Sequence, residues 1–234
     1  MFVNFYVGPL VRFHSEKWKP VFIRSKSEQE QPSHSSPFED ESVSPLELRT
    51  YIIEWRKQIS HALKKHLAGQ LNWAETPETP YVTESMDRRG YDALRLWAAY
   101  SASSLVPPQM ELPVNVDEDP VLIACEAKGK TDYGQIISHV VMWLPFNLDV
   151  VFETEFLNYE EPITVGSSGA LFDQLKKLNS KTWNAPVGEI TNWREAKIDE
   201  NNLTLDAVAK FGFAVFYYMA QQSVMSNLPM ALYH

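Results

Sequence analysis

Cysteine is almost missing from this chain. Cys125 stands alone among 234 residues, so no internal disulfide can form, and a reducing compartment is compatible with the sequence. A basic surplus is missing too. Asp and Glu number 30 against 21 Lys and Arg, a formal net charge of −9. Nucleic acid is bound by clustered Lys and Arg that release counterions from phosphates, so this balance argues against such a partner. It argues equally against an anionic membrane surface. The uncharged stretch from Phe211 to Tyr233 is strongly apolar only to Ala220. Gln221, Gln222, Ser223, Ser226 and Asn227 then interrupt it, which is too short a run for a membrane span. The first residues carry neither the basic region nor the small-residue cleavage site of a secretory signal, and a cytoplasmic location is the expectation.

Catalytic and metal signatures are also lacking. His61 and His66 are five apart, which puts them on different helix faces, and no H-E-x-x-H pattern occurs. No G-K-[ST] follows a glycine-rich turn, so there is no P-loop. No metal and no cofactor are expected.

What the chain does have is ordinary globular material: 44% hydrophobic residues and 29 aromatics. One α+β domain over residues 1–234 is the expectation, with a small antiparallel or mixed sheet packed by four to five helices. No linker separates two cores. Alternation of Val3, Phe5 and Val7 against Asn4 and Tyr6 predicts a strand, broken at Gly8-Pro9 and resumed through Phe13. Residues 20–24 read as a second strand. Residues 25–44 hold five acids against one lysine and nothing for a core, which reads as a flexible acidic loop. Ser44, Pro45 and Glu47 then form a helix start, and Leu48, Ile52, Trp55 and Ile59 continue it as an amphipathic stripe.

Residues 70–87 read as loop, and 88–103 as a helix stopped by Pro107-Pro108. Val121–Ala127, 135–144 and 148–156 read as strands, being apolar, β-branched and aromatic. A short strand at 163–165, helices at 169–180 and 189–197, and a last helix from the Thr204 cap to about 227 complete the reading. Gly212 in that helix allows another element to approach closely.

The most pointed local feature is Val165–Ala170, a strand, turn and helix carrying G-S-S-G-A. It is close to the G-x-S-x-G nucleophile elbow but has alanine at the last glycine. Ser168, followed by an acid such as Asp199 or Asp206 and by His234, would match the order Ser…Asp…His. The same residues also look like a helix cap, and Gly166, Ser167 and Ser168 offer amides for an anion. Glu153 and Glu155 share a strand face, which reads as a wet outer face. Cys125 reads as a buried thiol rather than a partner for His139. Glu39, Asp40 and Glu41 are the residues expected to contact a protein partner through the acidic loop.

The segments HVVMWLPFNLDVVF (139–152), VGSSGALFDQLKKLNSKTW (165–183), ITNWRE (190–195), AKFGFAVFYYMA (209–220) and LPMALYH (228–234) resemble an uncharacterised family of soluble bacterial proteins, over somewhat more than half of the chain. More loosely, the strand–GSS–helix element resembles immunity proteins of bacterial toxin–immunity systems. Those are small acidic cytoplasmic proteins that bind and inhibit a toxin. The resemblance implies a fold and a binding role and no catalytic residue.

The leading expectation is therefore a non-enzymatic protein-binding module, an immunity or inhibitor protein whose partner is a basic toxin domain. A serine hydrolase using Ser168 is the second reading, and a structural or assembly subunit the third.

Overall fold

The computed structural model describes residues 2–15, 44–67, 69–76, 78–109, 111–129, 131–157, 159–196 and 203–233. A six-stranded mixed sheet has helices on both faces. Its strands are β1 (Phe2–Val7), β2 (Val82–Asp87), β3 (Met142–Leu144), β4 (Phe152–Thr154), β5 (Ile163–Ser167) and β6 (Met230–Tyr233), in the spatial order β2-β1-β6-β3-β5-β4. Only β3 and β5 run parallel; every other neighbouring pair is antiparallel. The α+β expectation holds. The helices exceed the expected four or five: eight occur among the described residues.

Period-two alternation sends side chains to two cores. Val3, Phe5, Val7, Trp143, Met230 and Leu232 face one side. There they meet α3 (Arg88–Ala102), α4 (Pro120–Ala127), α5 (Gly134–Ile137), α6 (Ser168–Lys181), α7 (Val187–Glu195) and α8 (Leu205–Ser226). Met142, Leu144, Ile163 and Val165 face the other, under α1 (Leu10–His14) and α2 (Pro45–Ala62).

Helix α2 begins as its sequence dictates. Ser44 accepts from the Glu47 amide, the Glu47 carboxylate accepts from the Ser44 amide, and Pro45 sits at the first position. Its stripe of Leu48, Ile52, Trp55 and Ile59 is buried against the sheet. Helix α8 is buried along most of its length. A Cβ on Gly212 would lie 2.0 Å from Gly90 O, so only glycine lets α8 and α3 approach this closely. Asn227, at φ 53°, ends α8 in the left-handed conformation, and the Leu228 amide donates to Ser223 O. The chain then turns back into β6.

Several sequence expectations are corrected. Val121–Ala127 is a helix, not a strand: Asp119 caps it by accepting from the amides of Val121 and Leu122, and Pro120 occupies its first turn. The chain after Pro9 does not resume a strand but forms α1. Residues 82–87 are the edge strand β2 rather than loop. The run 135–144 divides into α5 and β3, and 148–156 contributes only the three residues of β4. The expected strand at 20–24 and the part of the acidic loop before Ser44, with Glu39, Asp40 and Glu41, lie outside the described residues.

Candidate functional site

Ser167, not Ser168, caps α6: its Oγ accepts from the Ala170 amide at 3.2 Å and donates to Phe146 O. Ser168 is fully buried, and its Oγ donates to Leu144 O at 3.2 Å. A serine nucleophile needs an accessible Oγ whose proton can pass to a base. Here the proton rests on a main-chain carbonyl in the core. The anion reading meets the same difficulty. The Ser167 amide donates to Gln135 Oε1 at 2.9 Å and the Gly169 amide to Phe146 O at 3.0 Å. A Cβ on Gly166 would lie 2.1 Å from Gln135 Oε1, and one on Gly169 would lie 2.6 Å from Phe146 O. The glycines serve packing, and these amides are already satisfied. Asp206 accepts from Trp183 Nε1 and pairs with Lys210. Asp199 and His234 lie outside the described residues.

The structure gathers charge elsewhere, around Arg95 of α3. Its side chain has no solvent exposure. Nη1 lies 2.9 Å from Asp117 Oδ1 and 3.9 Å from Asp92 Oδ1. Nη2 lies 2.7 Å from Glu126 Oε1 and 2.6 Å from His139 Nε2. The guanidinium also packs over the Tyr91 ring, 5.6 Å from its centroid, a cation–π arrangement. Arginine only donates, so His139 Nε2 accepts and the imidazole proton sits on Nδ1. Burial first, and Arg95 second, push the His139 pKa down. Burial raises Asp92, against the pull of Arg88 and Arg95.

Asp117, Glu126 and His139 bring three donor atoms within 4.8 Å of one another, the one group among the described residues with metal-ligand potential. The guanidinium already bonds all three, Nη1 to Asp117 and Nη2 to Glu126 and His139, so their donor atoms are engaged by a cation. The cluster is thus an acidic ridge that the guanidinium only partly offsets, three carboxylates sharing Arg95. Asp117 is 49% exposed and Glu126 31%, with Glu118 exposed beside them and Asp119 partly so.

Sequence reasoning missed this cluster because its members are spread over α3, the 3-10 turn Val116–Glu118, α4 and the loop after α5. Two signals were available. One was an arginine among the apolar neighbours Leu94 and Leu96. The other was the N-cap pattern of Asp119-Pro120, which sets Glu126 two turns along α4. Cys125, on that same helix, donates to Ala99 O at 3.5 Å and is buried. His139 turns instead to Arg95. Glu153 and Glu155 are both exposed.

On another side of α3 lies an open groove of about 880 Å³. Trp97, Ser101, Leu105, Val106, Lys181 and Asp206 are among the residues that line it. Trp97 stacks on Trp183 with centroids 5.2 Å apart, and Trp183 meets Trp193 and Phe213 edge-on. Tyr100 joins groove and ridge. Its hydroxyl donates to Asp119 Oδ2 at 3.2 Å, and its carbonyl accepts from the Leu105 amide at 2.9 Å.

Comparison with protein-family models, curated proteins and solved structures found no match to the chain. No helix among the described residues is long and apolar enough to cross a membrane.

Proposed function

We propose that this chain is a non-enzymatic binding protein whose partner is a basic protein. An inhibitor or immunity protein that neutralises a bacterial toxin in the cytoplasm is the member of that class to which the sequence resemblance points. One observation carries the reading: the partly exposed carboxylates of Asp117 and Glu126 are held in fixed positions by a guanidinium buried beneath them. Carboxylates oriented in advance lose little freedom on meeting a cation, and like-charged arrays accelerate encounter with an oppositely charged surface. The net charge of −9 acts in the same direction at long range. The serine chemistry the sequence hinted at has less support, since Ser167 and Ser168 are buried and hydrogen-bonded internally.

The test is affinity capture at low salt, identification of the retained protein, and measurement of its association rate against ionic strength. Glu118→Lys, and charge reversal at Glu39, Asp40 and Glu41, should each slow association several-fold at low salt, with the difference shrinking as salt rises. Retention of no protein, or rates indifferent to these charges, would refute the reading.

A further inference from the structure

Helix α4 has apolar residues on every side. From Pro120 to Ala127 its only charged side chain is Glu126. A helix of that kind is normally enclosed by protein. Here only Leu122 and Cys125 are buried. Ile123 is 49% exposed, and Pro120, Ala124 and Ala127 are exposed with it. An α-helix turns about 100° per residue, so these four fall within one arc, opposite Leu122 and Cys125. The outer face of α2 is different, being carried mostly by Arg49, Glu54, Lys57, Gln58 and His61. An apolar helix face left in water marks a place where another molecule sits.

Charge then selects that molecule. Glu126 follows Ile123 by three residues, so its side chain borders the apolar face. Asp119 caps the same helix, and Asp117 and Glu118 precede it. These carboxylates are not neutralised one for one. Asp117 and Glu126 share the guanidinium of Arg95 with Asp92. Glu118 accepts from the neutral amide of Asn115 at 2.9 Å. Asp119 accepts from the amides of Val121 and Leu122 and from the Tyr100 hydroxyl. Lys128 is exposed beyond Ala127, at the far end of the helix. The border of the face therefore carries an excess of negative charge. An apolar centre with a charged rim is the organisation of a protein interface, and a negative rim favours a basic surface over an acidic one.

We propose that the outer face of α4 anchors the basic protein partner: an apolar side chain of the partner packs on Ile123, Ala124 and Ala127, and a Lys or Arg beside it meets Glu126 and Glu118. This rests on the reading of a basic protein partner and names the surface that the partner covers. The acidic border sets the encounter rate, and burial of the apolar face sets how long the complex lasts.

The experiment uses the full chain, labelled for amide NMR, and three synthetic peptides. The first is an amphipathic helix of leucine and lysine. The second has glutamate for every lysine, and the third has the composition of the first in scrambled order. The leucine–lysine peptide should shift the amides of Ile123, Ala124 and Ala127 and bind at least five-fold more tightly than either control. Ala124→Arg adds bulk and a like charge at an exposed position and should weaken that binding at least five-fold. Ile123→Ser, which removes apolar surface without adding charge, should weaken it in the same sense. The amide spectrum of each variant reports that it is folded. Equal binding of the scrambled peptide, shifts confined to other elements, or indifference to Ala124→Arg would overturn the proposal. So would α4 amides that move with the concentration of the chain alone, since a second copy would then occupy the face. With the captured protein partner the two readings separate. Binding lost in Glu118→Lys but unchanged in Ala124→Arg removes the α4 anchor and leaves the basic-partner reading standing. Binding unchanged in Glu118→Lys removes the basic-partner reading itself.

Discussion

Replacing Arg95 by methionine would keep most of the aliphatic volume of the side chain and remove its charge. Asp92, Asp117 and Glu126 would then share one corner of α3 and α4 without the cation that now lies 3.9, 2.9 and 2.7 Å from them. Breaking a fully buried ion pair from one side costs about 3–5 kcal/mol. These carboxylates keep 20%, 49% and 31% of their side-chain surface in water, and solvent would take up part of the lost interaction. About 2–3 kcal/mol is the resulting expectation. For a chain of this size each kcal/mol moves the midpoint by roughly 2–4 °C, so the melting temperature should fall by roughly 5–10 °C.

The pH dependence identifies the cause. The uncompensated charges exist only while the carboxylates are ionised. Burial raises the Asp92 carboxyl, so the deficit relative to wild type should be full at neutral pH and shrink as pH falls from about 7 to about 4 and Asp92 takes up a proton. Urea titrations of both proteins across that range provide the measurement. Divalent zinc or manganese offers a second readout. With the guanidinium gone, three donor atoms within 4.8 Å of one another become available, so the metal should raise the stability of the variant and leave wild type unchanged. A deficit below about 0.5 kcal/mol, or one that is the same at pH 4 and pH 7, would show that Arg95 is not the organising charge of this face.

Other expectations follow from single contacts. His139 and His14 are both held neutral, His14 by burial that drives its pKa down to about 3. A histidine whose folded pKa is lowered stabilises fully above its unfolded value of about 6.5. That contribution is lost as pH falls below it, so stability should decline from about pH 6.5 downward, and an NMR titration should find His14 unprotonated until about pH 3. Gly212→Ala would put a Cβ 2.0 Å from Gly90 O, backbone against backbone, and should cost about 3 kcal/mol or more in chemical denaturation. Glu75→Ala would strip the amides of Leu10 and Val11 and the indole of Trp73 of their acceptor and should cost about 2–3 kcal/mol; a loss near zero would mean water replaces the carboxylate. Ser168→Ala should lower stability by about 1 kcal/mol, with no fluorophosphonate labelling in either protein; labelling lost with the serine would restore the hydrolase reading.

Local rules worked wherever the energy is local. The capping box at Ser44, the Thr204 cap and the stripe on α2 could all be read from residues a few positions apart. They failed where one pattern serves two structures. The apolar run from Val121 to Cys125 fits a buried strand or a helix, and only the Asp119-Pro120 start decides for a helix. Strands β2 and β6 were hidden for opposite reasons. β2 is a polar edge, with Glu84, Ser85 and Asp87 among its six residues. β6 is four residues placed between β1 and β3 by the tight left-handed turn at Asn227, a partnership no sequence window contains. The candidate site belongs to this second class. G-S-S-G-A stood out because its residues are adjacent, and adjacency here means a cap and a packed turn. The Arg95 cluster draws on residues from 92 to 139, and none of them is conspicuous alone. Their chemistry exists only once α4 folds as a helix and turns Glu126 toward α3. Reading that run as a strand therefore hid the site along with the helix.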